Sequence, residues 1–202
     1  MAAGGRVGIL GGTFDPPHCG HVAAAVAARH TLALDRVLFV VANEPWQKVP
    51  HRAVTAAVDR LAMVEAAVSE DAGLEACAIE IERGGPSYTV DTVEALRDDA
   101  LAHGREVPDL YLVVGADLVP GLPTWRRVDD LRKMVTLAIV SRPGSRHVDA
   151  PGWRVVHVDG EAVDVSSSEV RERLERGEPV DGLVPPAVVR CIERRGLYAV
   201  TR

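Results

Sequence analysis

Cysteine is scarce: Cys19, Cys77 and Cys191 are the only three in 202 residues. They are odd in number, widely scattered and free of C-x-x-C spacing, which favours a reducing compartment over a disulfide framework. No run approaches the ~18 apolar residues of a membrane span. Met1 to Arg6 carries no hydrophobic stretch of the signal-peptide kind ahead of the first strand, so a cytoplasmic location is expected. Positive charge is also in deficit. Lys and Arg number 23 against 29 Asp and Glu, a formal net charge of −6. That argues against a general nucleic-acid partner and confines any anion site to a local arrangement. Repeats, low-complexity tracts and interdomain linkers are missing. The 47% hydrophobic and 26% charged fractions are those of an ordinary globular chain. One domain over residues 1–202 is expected, with 160–202 as its C-terminal helical part.

Apolar runs alternate with helical stripes. Val7 to Leu10, Arg36 to Ala42 and Asp109 to Val114 read as strands buried in a parallel sheet, as do the shorter Val135 to Val140 and Arg154 to Val158. Leu74 to Glu82 alternates, Cys77, Ile79 and Ile81 against Glu80 and Glu82, and reads as a half-exposed strand. Helices are expected after His21, between Ala53 and Ser69 (stripe Val54, Val58, Leu61, Val68), and after a Ser87 or Thr89 cap. Further helices are expected from Trp125 to Met134, from the Ser166–Glu169 capping box to Gly177, and through Val188 to Gly196. This order implies right-handed βαβ crossovers and an α/β fold with a doubly wound, mostly parallel sheet. Ligands of such sheets bind beyond the carboxyl ends of the strands.

The stretch that carries chemistry is Gly11 to His21, G-G-T-F-D-P-P-H-C-G-H, between the first strand and an Ala/Val-rich helix. A strand, a glycine turn and a helix N-terminus let backbone N–H groups converge on a phosphate. Gly11 and Gly12 permit close approach, and Pro16 and Pro17 stiffen the turn. His18 and His21, three apart, share a helix face near its positive end and can donate to phosphate oxygens. The stretch is neither a P-loop nor a G-x-G-x-x-G fingerprint. The residues alone leave three roles open for the two histidines: phosphate donors, helix caps, or metal ligands with Asp15 or Cys19 as a third. No His/Cys cluster downstream completes a metal site.

Gly12-Thr13-Phe14-Asp15-Pro16 with His18-Cys19-Gly20-His21 resembles the signature of the HxGH nucleotidyltransferases, most closely that of the bacterial nicotinate-mononucleotide adenylyltransferases. Further motifs follow in that family's order over nearly the full length. Arg83 to Thr89 is similar to its P-S-Y-T segment, Gly115-Ala116-Asp117 to its G-x-D, and Pro123-Thr124-Trp125 to its T-W. Ser166 to Arg171 resembles its I-S-S-T-x-I-R phosphate motif, with Ser168 where Thr is usual. Leu183 to Pro186 and Gly196 to Tyr198 fit its ending. In the loop after the second strand, Pro45 and Lys48 are kept, while Val41 and Gln47 stand where the family has Pro and His.

The resemblance implies a Rossmann-like nucleotidyltransferase fold and adenylyl transfer from ATP to nicotinate mononucleotide, giving deamido-NAD and pyrophosphate in NAD biosynthesis. It implies His18, His21, Lys48 and Arg171 as the catalytic groups. ATP would be held by Gly12, Thr13, Phe14, His18, His21, Gly115, Asp117, Ser166, Ser168 and Arg171. The acceptor would meet Asp15, Lys48, Thr89, Trp125 and Arg126. Trp125 would stack on the pyridine ring, and Thr89 or the backbone N–H after Trp125 would meet its carboxyl group. Mg²⁺ is expected with the triphosphate, with no protein metal site. Small molecules are the expected partners, not nucleic acid or membrane, and a homo-oligomer stays open. So do a sister transferase acting on another phosphate or phosphonate acceptor and a non-catalytic nucleotide-binding module.

Overall fold

Strand residues alternate between two apolar layers, which fixes the architecture. In the computed structural model, which describes residues 5–45, 54–141, 144–145, 147–160, 163 and 165–198, the strands are β1 (Arg6–Gly12), β2 (Arg36–Val41), β3 (Leu74–Cys77), β4 (Asp109–Gly115), β5 (Thr136–Ser141) and β6 (Val155–Asp159). They form one six-stranded sheet of order β3-β2-β1-β4-β5-β6, every pair parallel. Because strand side chains have period two, Leu10, Phe39 and Val113 enter one layer and Ile9, Leu38 and Leu112 the other.

Helices α1 (Cys19–Thr31) and α2 (Ala57–Val68) close the first layer through Ala25, Ala28, Val64 and Val68. After the short α3 (Ile79–Arg83), α4 (Thr89–Ala102) and α5 (Val128–Met134) close the second through Val90, Val93 and Leu131. Met63 of α2 then joins Val170 of α6 (Ser167–Glu175) and Val188, Cys191 and Ile192 of α7 (Pro186–Arg195) in a third cluster. Among the described residues no helix is long and apolar enough to cross a membrane.

Four local expectations are corrected. The third strand stops at Cys77. Ile79 and Ile81 belong to the helical turn α3, because buried Glu80 turns inward to accept a hydrogen bond from the Thr92 hydroxyl. The helix expected from Ala53 begins at Ala57, with Val58 of its stripe 62% exposed and Arg60 buried in its place. Pro120 and Pro123 keep Ala116–Thr124 in 3-10 winding, leaving Trp125 extended (φ −72°, ψ 143°) ahead of α5. Neither Ser87 nor Thr89 caps α4. Tyr88 holds the cap position, Thr89 opens the helix, and Ser87 Oγ accepts from the Asn43 N–H at 2.8 Å.

Position of the site follows from strand order. β1 lies between β2 and β4, where the winding reverses. The β1–β4 ladder ends at Ile9 opposite Leu112, although β1 pairs with β2 as far as Gly12 and β4 with β5 as far as Gly115. The two central strands therefore part at their carboxyl ends, and the sequence motifs sit at that opening.

Candidate active site

Beyond Gly12 the chain turns through Thr13–Pro17 into α1. Phe14, at φ 52°, is buried, packed tilted on Phe39 and edge-on to His21 with centroids 5.0 Å apart. Its ring therefore supports a histidine, and only its main chain is left to meet a nucleotide. His18 caps α1 in extended conformation. Its backbone N–H donates to Nδ1 of His21 at 3.1 Å, and the two imidazoles stack with centroids 3.6 Å apart. An accepting Nδ1 places the His21 proton on Nε2, so that nitrogen is a donor in the neutral ring. A Cβ on Gly20 would lie 3.1 Å from His18 Nδ1, which explains a glycine between the histidines.

A second helix N-terminus meets the same loop. Ser166 caps α6, its hydroxyl accepting from the Glu169 N–H at 3.1 Å. Ser167 donates to the Pro16 carbonyl at 2.9 Å. Arg171, one turn on, donates through Nη1 to the Asp15 carbonyl (2.6 Å) and through Nη2 to Ser168 Oγ (2.9 Å). The structure thus brings His18, His21, Ser168 and Arg171 to one loop at two positive helix ends, an arrangement that suits a polyanion.

Asp15 is held from within the protein and is 1% exposed. Its Oδ1 accepts from the Tyr198 hydroxyl at 2.6 Å, and Arg60 faces the acid electrostatically. Arg60 is also 1% exposed and donates to three carbonyls: Thr13 at 2.8 Å, Thr55 at 2.8 Å and Asn43 at 3.0 Å. Burial lowers its basicity and the Asp15 charge partly restores it. Its sequence neighbour Asp59 pairs with Arg195 at 2.6 Å. Burial, then the bond to Asp15, pushes the Tyr198 phenol far above its ordinary range. Arg60, Ser167, Tyr198 and Gly20 were missed among the site residues. Gly20, enclosed by two histidines, and Ser167 and Tyr198, each inside a quoted motif, carried a signal in sequence; Arg60 carried none.

Across the opening, Asp117 is exposed in the first turn of the 3-10 helix, its carboxylate folded back over Gly115. Thr89 is half-buried at the first position of α4, another positive helix end. The half-buried Trp125 packs on the second apolar layer. Arg126 lies over the Tyr88 ring, 4.6 Å from its centroid, and pairs with Asp91 at 3.5 Å. Arg127 forks onto Glu94 at 2.7 and 2.9 Å. These contacts hold the Trp125 segment against the start of α4, beside Thr89. Lys48 lies outside the described residues.

Residues 9–173 match the cytidylyltransferase-like family model. A probable nicotinate-nucleotide adenylyltransferase of Bacillus pumilus is 40% identical over 196 residues, covering 96% of this chain and 98% of that one. One of Streptomyces coelicolor is 42% identical over 194 residues, covering 94% and 98%. Among solved structures, a Plasmodium falciparum nicotinic acid mononucleotide adenylyltransferase complexed with NaAD superposes with TM-score 0.75 at 17% identity, covering 96% of this chain and 97% of that one.

Proposed function

The chain belongs to the cytidylyltransferase-like family, among the nicotinate-nucleotide adenylyltransferases, and from that premise we propose that it joins ATP and nicotinate mononucleotide into deamido-NAD and pyrophosphate. The observation that carries the reading is the convergence of α1 and α6 on the Thr13–His18 loop, with His18, His21, Ser168 and Arg171 together. An oxygen of the acceptor's phosphate attacks the α-phosphorus of ATP, and the bond from that phosphorus to the α,β-bridging oxygen breaks. Since the nucleophile is already an anion, no general base is needed. That suits a site built of donors and cations rather than of a nucleophile–base pair.

Catalysis is then positioning plus neutralisation of charge on the transferring phosphoryl group. His18, the Nε2–H of His21, Arg171 and the serine hydroxyls face the triphosphate; Gly12, Thr13 and Phe14 contribute main chain. Asp117 takes ribose hydroxyls, Lys48 the acceptor phosphate, Trp125 the pyridine face, and Thr89 with the Arg126 N–H the carboxylate. Among the described residues no group of three or more His, Cys, Asp or Glu side chains could hold a metal ion. Mg²⁺ would arrive with the triphosphate, since the ion keeps its waters and needs few protein ligands. The three cysteines, all free, suit the cytoplasm.

Pyrophosphate release from ATP, measured against a panel of phosphate and phosphonate acceptors, tests the proposal. Nicotinate mononucleotide should give the highest kcat/KM, with deamido-NAD as product. A faster acceptor would move the chain to a sister activity, and no turnover with any would make it a binding module.

A further inference from the structure

We propose that Tyr198, near the end of the chain, is a positioning residue for the donor site: its hydroxyl holds Asp15, and Asp15 in turn aims Arg171. The inference rests on the donor role given to Arg171 above. α7 ends at Gly196 in left-handed conformation (φ 62°), with the Leu197 N–H bonded to the Ile192 carbonyl at 3.1 Å, and the chain turns back on itself. Tyr198 follows at φ 57°, a left-handed conformation seldom adopted by so bulky a residue. That backbone is what delivers the phenol to the motif loop. The hydroxyl donates to Asp15 Oδ1 at 2.6 Å and touches Met63 Sδ at 3.8 Å.

The chain of contacts is short. Asp15 offers its carboxylate to Tyr198 and its backbone carbonyl to Arg171 Nη1 at 2.6 Å, while Arg171 Nη2 reaches Ser168 Oγ at 2.9 Å. Asp15 is 1% exposed, so its carboxylate depends on protein donors and cannot exchange Tyr198 for bulk water without moving the loop. Phe14 next to it is also left-handed at φ 52°, and its ring supports His21. Release of Asp15 therefore disturbs Arg171 on one side and the histidine pair on the other. The acceptor residues Thr89 and Trp125 stand on other elements and share none of these bonds.

The test compares wild type, Tyr198→Phe, Asp15→Asn and the double variant as full chains. The readouts are kcat, KM for ATP, KM for nicotinate mononucleotide, and Tm. Tyr198→Phe keeps the half-buried ring and loses only the hydroxyl. It should lower kcat/KM for ATP about tenfold and leave the acceptor KM within about twofold. If both residues act through one bond, the double variant should be no worse than the worse single variant. Three outcomes overturn the proposal: a kcat/KM for ATP within twofold of wild type, a rise of more than twofold in the acceptor KM, or single effects that multiply in the double variant. A Tyr198→Phe chain that fails to fold also overturns it, by making the bond a general support. Deamido-NAD formation by wild type is read in the same assay, so failure of the parent reading appears there and failure of this one only in the variants.

Discussion

His18 and His21 are joined twice: the His18 backbone N–H donates to His21 Nδ1 at 3.1 Å, and their rings stack 3.6 Å apart. The bond fixes which nitrogen of His21 carries its proton, and the edge of Phe14 fixes where the ring points. A donor held this way needs no reorganisation when charge develops on the transferring phosphoryl group. His21→Ala should therefore lower kcat by about 10² or more while changing the acceptor KM little. Steady-state kinetics on folded variant decide it, and a near-normal kcat would remove His21 from the mechanism.

Gly20 separates helix stability from catalysis. Alanine inside a helix is favoured over glycine by about 1 kcal/mol. Here its Cβ would lie 3.1 Å from His18 Nδ1 and 3.4 Å from the Val163 carbonyl, so the His18 ring must shift. Gly20→Ala should leave Tm within a few degrees of wild type and reduce kcat at least tenfold. Melting curves and kcat on one preparation are the check; full activity would mean that the displaced imidazole is not needed where it stands.

Arg60 is a buried cation with three carbonyl partners and a carboxylate nearby, an arrangement that holds well only while complete. A lysine at the same position has one ammonium on a flexible stem and cannot bridge Thr13, Thr55 and Asn43 together. Arg60→Lys should cost about 3 kcal/mol or more in stability, since buried carbonyls are left unpaired. Urea unfolding measures this, and a loss under about 1 kcal/mol would show that the carbonyls find other donors.

The same residue marks how far the sequence could be read. The buried strands follow from their apolar runs, and their alternation with helices from the chain itself. The histidine motif and the Ser166 cap were legible because each is local: the spacing is in the chain itself. Arg60 was not, because Asp59-Arg60 on an amphipathic helix looks like a solvated pair, and only the fold sets Asn43, Thr13 and Thr55 around its guanidinium. The contact of Asp15 was hidden for the same reason. Its partner Tyr198 is 183 residues away, and no period links them. Ile79 and Ile81 failed differently, since a four-residue alternation fits a helical turn as well as a strand.

Tyr198 gives the stability curve a feature at alkaline pH. Its phenol is raised in the folded state, first by burial and then by the bond to Asp15. In the unfolded chain a tyrosine ionises near pH ~10. Above that pH the unfolded state binds fewer protons than the native one, so stability falls as pH rises. Below it the contribution is fully present and flat. Wild type should therefore lose stability more steeply than Tyr198→Phe between about pH 10 and 11, and the two should run parallel from about pH 7 to 9. Denaturant midpoints across both ranges test this; equal alkaline slopes would mean that the phenol ionises as freely folded as unfolded.

Under the proposed reaction, choice between the two pyridine mononucleotides would turn on the start of α4. Nicotinate and nicotinamide differ only as carboxylate against amide, so discrimination needs groups that donate and do not accept. Thr89 stands at the first position of α4, where the helix end is positive, and the Arg126 segment is tied beside it by Tyr88, Asp91 and Glu94. A carboxylate placed there would accept from the Thr89 hydroxyl and the Arg126 N–H together. An amide offers one acceptor and turns its NH₂ toward a donor. One unmatched buried hydrogen bond is worth about 1–3 kcal/mol, so two give a preference of about 10² or more for the acid. Trp125→Ala should weaken both acceptors alike, because stacking on the ring does not sense the substituent. Thr89→Val keeps the shape and removes the donor, and should narrow the acid-over-amide ratio about tenfold with the ATP KM unchanged. The comparison is kcat/KM for both mononucleotides in wild type and the two variants. Equal wild-type use of the two would sink the selectivity, and an unchanged ratio in Thr89→Val would shift it from that hydroxyl to the backbone N–H and the helix end.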